Sequence, residues 1–166
     1  MQEHGARTAI GAPGTVRRQT GVLVATSLVV LVVDQLSKSW AVSALGDRDI
    51  DLIGSLRLHL ERNSGAAFSL NRGRGGLVAL LAIAVVLVIV WVGRSVQTRP
   101  GGLAVGLVLG GALGNLGDRV FRDGSGFLGG AVVDFIDLQW WPVFNIADIA
   151  IVLGGVLLVV VSTREQ

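Results

Sequence analysis

Cysteine and tyrosine are both absent from the 166 residues, and there are only two histidines, three prolines and 16% charged residues. Without cysteine there are no disulfides, no thiolate metal ligands and no cysteine nucleophile, and the redox compartment leaves no mark on the chain. His4 and His59 are the only imidazoles. With only His59 near the apolar segments, Ser-His and Cys-His schemes lack their base, and a zinc site lacks its usual nitrogen and sulfur ligands. The net charge is only +2. Scattered arginines with few aromatics between them argue against a nucleic-acid surface. What is abundant is apolar: 51% of the residues are hydrophobic and the mean hydropathy is positive. That balance lies outside the usual soluble class and reads as one polytopic membrane domain.

Residues 1–20 are polar, carry Arg7, Arg17 and Arg18, and show no apolar period, so they read as a disordered cytoplasmic tail. Residues 21–162 read as a four-helix domain and 163–166 as a second short tail. The first span covers residues 21–45, long enough to cross with tilt. Its start, 21–33, resembles a signal-peptide core with Val42-Ser43-Ala44 as a weak cleavage site, but Asp34 and Lys38 interrupt that layout and an uncleaved anchor fits better. Asp34 and Lys38 are four apart and close enough to pair. The second span, 76–93, holds no charge. The third, 101–117, is about 26 Å long at helical rise. Its glycines at 102, 106, 110 and 114 leave a bare stripe where a neighbouring helix can approach. The fourth span covers 142–162. Trp40, Trp91, Trp140 and Trp141 fall near span ends, as in an aromatic belt. Arginine and lysine counts on the two sides are close, so charge leaves the orientation open.

Chain direction brings the polar residues together. One span ends in Asn115-x-x-Asp118, the next begins with Asn145-x-x-Asp148, and Asp134 lies between them in an apolar run. The end of one helix and the start of the next belong to the same membrane face, and residues three apart share one helix face. The loop 46–75 contains Leu56, Leu58 and Leu60 in strict alternation, which predicts a half-buried strand. It leads to Asn63 and to Gly65, which permits a tight turn. The loop 118–141 mixes glycine with apolar residues, as expected of a segment on or in the interface. Asp34, Asn63, Asn115, Asp118, Arg119, Asp134, Asn145 and Asp148 therefore map to one face. Ionisable groups so near hydrocarbon are costly and point to function.

Carboxylates are the remaining chemistry. Two of them close together in low dielectric cannot both ionise, so the pair can act as acid and base, the aspartic-protease arrangement. Asp118 precedes Arg119, which suits a structural ion pair or cap. Asp134 has Val132, Val133 and Phe135 around it and no adjacent cation, which suits a carboxyl that keeps its proton. Asp148 opens a helix, where the dipole favours the anion and hence the base. Spacing leaves Asp134 with Asp148 and Asp118 with Asp148 both open, and a Mg²⁺ or Ca²⁺ carboxylate cage remains the competing use. A small four-helix transporter or channel, or a non-catalytic scaffold, are the competing classes. A transporter would carry its ionisable group near mid-bilayer and keep its loops short.

The ordered set DQLSK (34–38), NSGAAF (63–68), GNLGDR (114–119), VVDF (132–135) and FNIAD (144–148) resembles bacterial lipoprotein signal peptidase, signal peptidase II, over roughly residues 21–162. The resemblance implies an all-α membrane protein of four transmembrane helices, with a small periplasmic β-structure from the first loop and a periplasmic segment of the third loop over the site. It implies an inner-membrane aspartyl endopeptidase without cofactor or metal. Its substrate would be a diacylglyceryl-modified prolipoprotein, cut just before the lipidated cysteine. It assigns catalysis to Asp134 and Asp148, and support or substrate contact to Asp34, Lys38, Asn63, Asn115, Asp118, Arg119 and Asn145. Both termini would be cytoplasmic, the site at the outer face, the partners a prolipoprotein and membrane lipid with no nucleic acid, and the enzyme a monomer. The segment between Arg119 and Asp134 is longer and richer in glycine than the family pattern, and the one between Asp134 and Asn145 is shorter.

Overall fold

A computed structural model describes residues 13–64, 75–123 and 128–164. In chain order the elements are helix α1 Pro13–Ala44, strands β1 Ile50–Ile53 and β2 Leu56–Asn63, helices α2 Gly75–Gly93 and α3 Arg99–Phe121, strand β3 Val132–Asp137 and helix α4 Ile146–Arg164. Gly65 to Phe68, with the expected turn, lie outside the described residues, as do residues 1–12 of the expected tail. Its remainder, from Pro13, is helical and continuous with the first span. Among the described residues three stretches are long and apolar enough to cross a membrane, Gln19–Ala44, Arg99–Phe121 and Ile146–Thr163, and α2 adds a shorter one, Ile83–Gly93.

Burial identifies the middle of the bundle. Within these stretches 56% of α3 is buried, against 17% of α1 and of α4, so both outer helices pack on α3. Glycine makes this possible. A Cβ at Gly106 would lie 2.8 Å from the Leu23 carbonyl oxygen, and one at Gly110 would lie 2.7 Å from that of Ser27. The predicted bare stripe is thus the seam against α1, and only an absent side chain admits backbones that close. Outward, Leu28, Val29 and Leu36 on α1 and Val152, Val156 and Val159 on α4 are more than half exposed, a face suited to lipid and not to water.

At the end of the bundle where α1 and α3 finish and α4 starts sits an antiparallel sheet of order β1-β2-β3. The leucine alternation of Leu56, Leu58 and Leu60 forms β2 as expected. The third strand corrects the reading of the last loop. VVDFID pairs with β2, Asn63 opposite Val132 and Arg57 opposite Asp137, so the sheet draws on both loops and not on the first alone. The strand carries no apolar–polar alternation, because β3 buries both of its faces. Val133 and Phe135 pack with Ala41 and Leu45 at the end of α1, and Val132 and Asp134 face the other way. After β3, the Phe144 carbonyl accepts from the Phe135 and Ile136 amides at 3.1 and 2.9 Å. That clip brings Asn145 beside the strand just before α4 begins.

Candidate active site

The Asn145-x-x-Asp148 spacing builds a helix start. Asn145 precedes α4, so the pair does not share a helix face as its spacing suggested; instead it caps reciprocally. The Asn145 side-chain oxygen accepts from the Asp148 amide at 3.0 Å, and the Asp148 carboxylate accepts from the Asn145 amide at 3.1 Å, satisfying donors that a helix N-terminus leaves orphaned. Asp34 reaches across from α1 and accepts from the Ala147 amide at 3.0 Å. The start of α4 is therefore tied to α1 by a carboxylate.

Two polar clusters occupy this end of the bundle. In the first, the fully buried Lys38 ammonium lies 2.8 Å from Asp34 and 3.0 Å from Asp118. Asp118 also pairs with Arg122 at 2.6 Å and accepts from the Val133 amide at 3.1 Å. The Asp34–Lys38 pairing is as the spacing predicted. Asp118 keeps the structural ion-pair role expected of it, but with different partners. A residue one step along a helix points about 100° away, whereas Arg122, at i+4, lies on the same face. Gln35, which sequence reasoning passed over, donates to Asp118 at 3.2 Å and to the Gly114 carbonyl at 3.0 Å; its one signal was its place inside DQLSK. A Cβ at Gly114 would collide with the Asp34 carboxylate.

The second cluster holds the other two aspartates. Asp134, only 3% exposed, accepts from the Asn145 side-chain amide at 2.6 Å and from that of Asn63 at 3.2 Å. Asn63 reaches it because β2 register sets Asn63 opposite Val132, two residues from Asp134 on the same strand face. Asp148 accepts from the Asn115 side-chain amide at 2.9 Å. Burial pushes the Asp134 carboxyl up to about 6, against the Asn63 and Asn145 hydrogen bonds, and the nearby Asp148 charge adds to the rise. That is the direction its apolar neighbours predicted.

A cavity of about 280 Å³ opens between these groups, lined by Asn63, Asn115, Arg119, Asp134 and Asp148 together with apolar residues that include Val132. All nine residues singled out from the sequence meet here or in the cluster beneath. Arg119 is 7% exposed, and its Nη1 has no hydrogen-bond partner among the described residues. The site thus offers two carboxylates from separate elements, oriented by three asparagines, beside a guanidinium with a donor to spare.

Comparison with known proteins shows the family of the chain. The family model described as Signal peptidase (SPase) II matches residues 26–164. The chain is 49% identical over 136 residues to a lipoprotein signal peptidase of Rhodococcus jostii, covering 81% of this chain and 68% of that one. It is 42% identical over 163 residues to one of Mycobacterium tuberculosis, covering 97% and 80%. Among solved structures, a bacterial membrane enzyme determined by the in meso method at 1.9 Å superposes with a TM-score of 0.74 at 27% identity, covering 88% of this chain and 95% of that one. With a family match across most of its length, and with relatives this similar, the chain belongs to the signal peptidase II family.

Proposed function

We infer that Asp134 and Asp148 are the catalytic pair with which this protein, a protease of the signal peptidase II family, removes signal peptides from prolipoproteins. The observation that carries the assignment is that two carboxylates from separate elements line one cavity, with Asn145 donating to both. Both Asp148 oxygens are occupied as acceptors, by Asn115 and by the Asn145 amide, which suits the base. Asp134, pushed up to about 6 by burial, suits the member that holds the proton.

In the reaction, Asp148 takes a proton from water while the water oxygen bonds to the scissile carbonyl carbon. Protonated Asp134 donates to the developing oxyanion. Collapse of the tetrahedral intermediate breaks the C–N bond, and the proton taken from water leaves with the amine. Arg119, with its open Nη1, donates to a backbone carbonyl of the bound peptide. Asn63, Asn115 and Asn145 orient the carboxylates, while Asp34, Lys38 and Asp118 hold α1, α3 and α4 in register. The family excludes the transporter reading, and the acids crowd one end of the bundle instead of its middle.

The substrate is a diacylglyceryl-modified prolipoprotein, cut just before the lipidated cysteine. Four spans, with α2 as the second, bring both termini to the cytoplasm and the site to the outer face of the inner membrane, where a monomer meets its substrate sideways from the lipid. Such access avoids transferring acyl chains to water, at about 0.8 kcal/mol per CH₂. The test is digestion of a lipidated precursor by the purified full chain in detergent, with products weighed by mass spectrometry. Release of the intact signal peptide up to the residue before the modified cysteine is expected. An uncut lipidated precursor, or equal cleavage of the unmodified one, would overturn the substrate assignment.

A further inference from the structure

Among the described residues Lys38 is the one fully buried cation, and ion pairing alone does not use all of its donors. An ammonium has three N–H donors and no acceptor. Here two serve Asp34 and Asp118, and the third goes to the Asn115 side-chain oxygen at 2.8 Å. Because Lys38 cannot accept, Asn115 must turn its oxygen to α1 and its NH₂ the other way. That NH₂ lies 2.9 Å from an Asp148 oxygen. The same Asn115 oxygen also accepts from the Asn145 NH₂ at 3.1 Å, and that NH₂ donates to Asp134 at 2.6 Å. One ordered donor chain thus runs from the ammonium through Asn115 to Asp148, while Asn145 donates both to the Asn115 oxygen and to Asp134. With Asn115 reversed, its NH₂ would face the ammonium and its oxygen would face Asp148.

We propose that Lys38 is a positioning residue for catalysis, its ammonium locking the Asn115 amide so that Asp148 is held by an N–H donor in the orientation that activates water. The inference rests on Asp148 being the base. Lys38 is fully buried and does not line the cavity; it acts through Asn115.

The test uses the purified full chain in detergent and a synthetic diacylglyceryl-modified precursor. Asp34→Asn/Lys38→Met removes the donor and leaves Asp118 paired with the half-buried Arg122; Asp34→Asn/Lys38→Gln restores an N–H donor. The Met double variant should lose kcat by on the order of 10²-fold with KM changed less than about twofold, as expected of a misaligned group. The Gln variant should recover at least about tenfold of that loss, since a restored donor can again orient the amide. Adding Asn115→Leu to the Met variant should cost little more, because the two act in series. Equal kcat for the Met and Gln variants, or an Asn115→Leu loss of the same factor with and without Lys38, would overturn the proposal. Should the Met variant not fold, magic-angle NMR of the wild type decides. Cross-peaks from Lys38 Nζ to Asn115 Cγ and from Asn115 Nδ2 to Asp148 Cγ are expected, and loss of either sinks the relay. Failure here is distinct from failure of the catalytic assignment, which would show as cleavage by Asp148→Asn.

Discussion

The two carboxylate clusters sit side by side and are neutralised by opposite means. Asp34 and Asp118 are paired with Lys38 and Arg122 at 3.0 Å or less, whereas Asp134 and Asp148 receive their hydrogen bonds from asparagine and backbone amides. A cation offsets the charge of a buried carboxylate, whereas an amide dipole orients the group with less constraint on its protonation. On the proposed assignment, one cluster builds the scaffold and the other keeps a proton to exchange. Lys38, through Asn115, is where the two meet.

The comparison breaks most visibly at Lys38. Lys38→Met alone strands Asp34 and leaves Asp118 with one cation, so thermal unfolding in detergent should show a loss of about 3–5 kcal/mol, the range for removing one partner of a buried pair. Asp34→Asn added to it should restore much of that loss. In the other cluster, pH is the lever. Asp134 binds its proton more tightly folded, with the group pushed up to about 6, than unfolded. Its contribution is full below the ordinary carboxylate range and is lost as pH rises to about 6. Stability should therefore fall by about 2–3 kcal/mol over that window, and Asp134→Asn should flatten the slope. Cleavage should also decline on the alkaline side as the pair gives up its shared proton, with an apparent pKa belonging to both residues.

Smaller effects sharpen the contrast. Gly114→Ala drives a methyl group into the Asp34 carboxylate and should cost about 1–3 kcal/mol by melting, with a matching fall in activity. Arg57 is the control. It pairs with Asp137 at 2.6 Å on the sheet but is one-third exposed, so solvent screening makes Arg57→Ala the mildest of these changes by melting, and kcat should stay near the wild-type value.

What could be read from the sequence follows from how each signal arises. Apolar runs disclosed the helices, three of them long and apolar enough among the described residues to cross a membrane, because length and hydropathy can be read from the sequence directly. The bare stripe on α3 and the strand at Leu56, Leu58 and Leu60 were legible because a period was present. Strand β3 was not, since Val133 and Phe135 are buried on one face while Val132 and Asp134 are buried on the other, which erases alternation. Chain direction brought Asn115, Asp134, Asn145 and Asp148 to one end without any structure. Spacing alone could not choose between Asp118 and Asp134, because the choice depends on which cations face each group, and Arg122 on the same helix face outweighs Arg119 next in sequence. Asn145 as a helix cap needed the helix start itself, which lies four residues later than the apolar run at Pro142 suggested.

On the proposed assignment, Asp134 and Asp148 divide one proton between them and do the chemistry together. Single-turnover cleavage of a diacylglyceryl-modified precursor by Asp134→Asn, Asp148→Asn and the double variant tests it most directly. Each single change should lower the rate by on the order of 10²–10⁴-fold in protein that still melts cooperatively, and the double variant should be scarcely worse than either. A single variant that still cleaves at near the wild-type rate would contradict it.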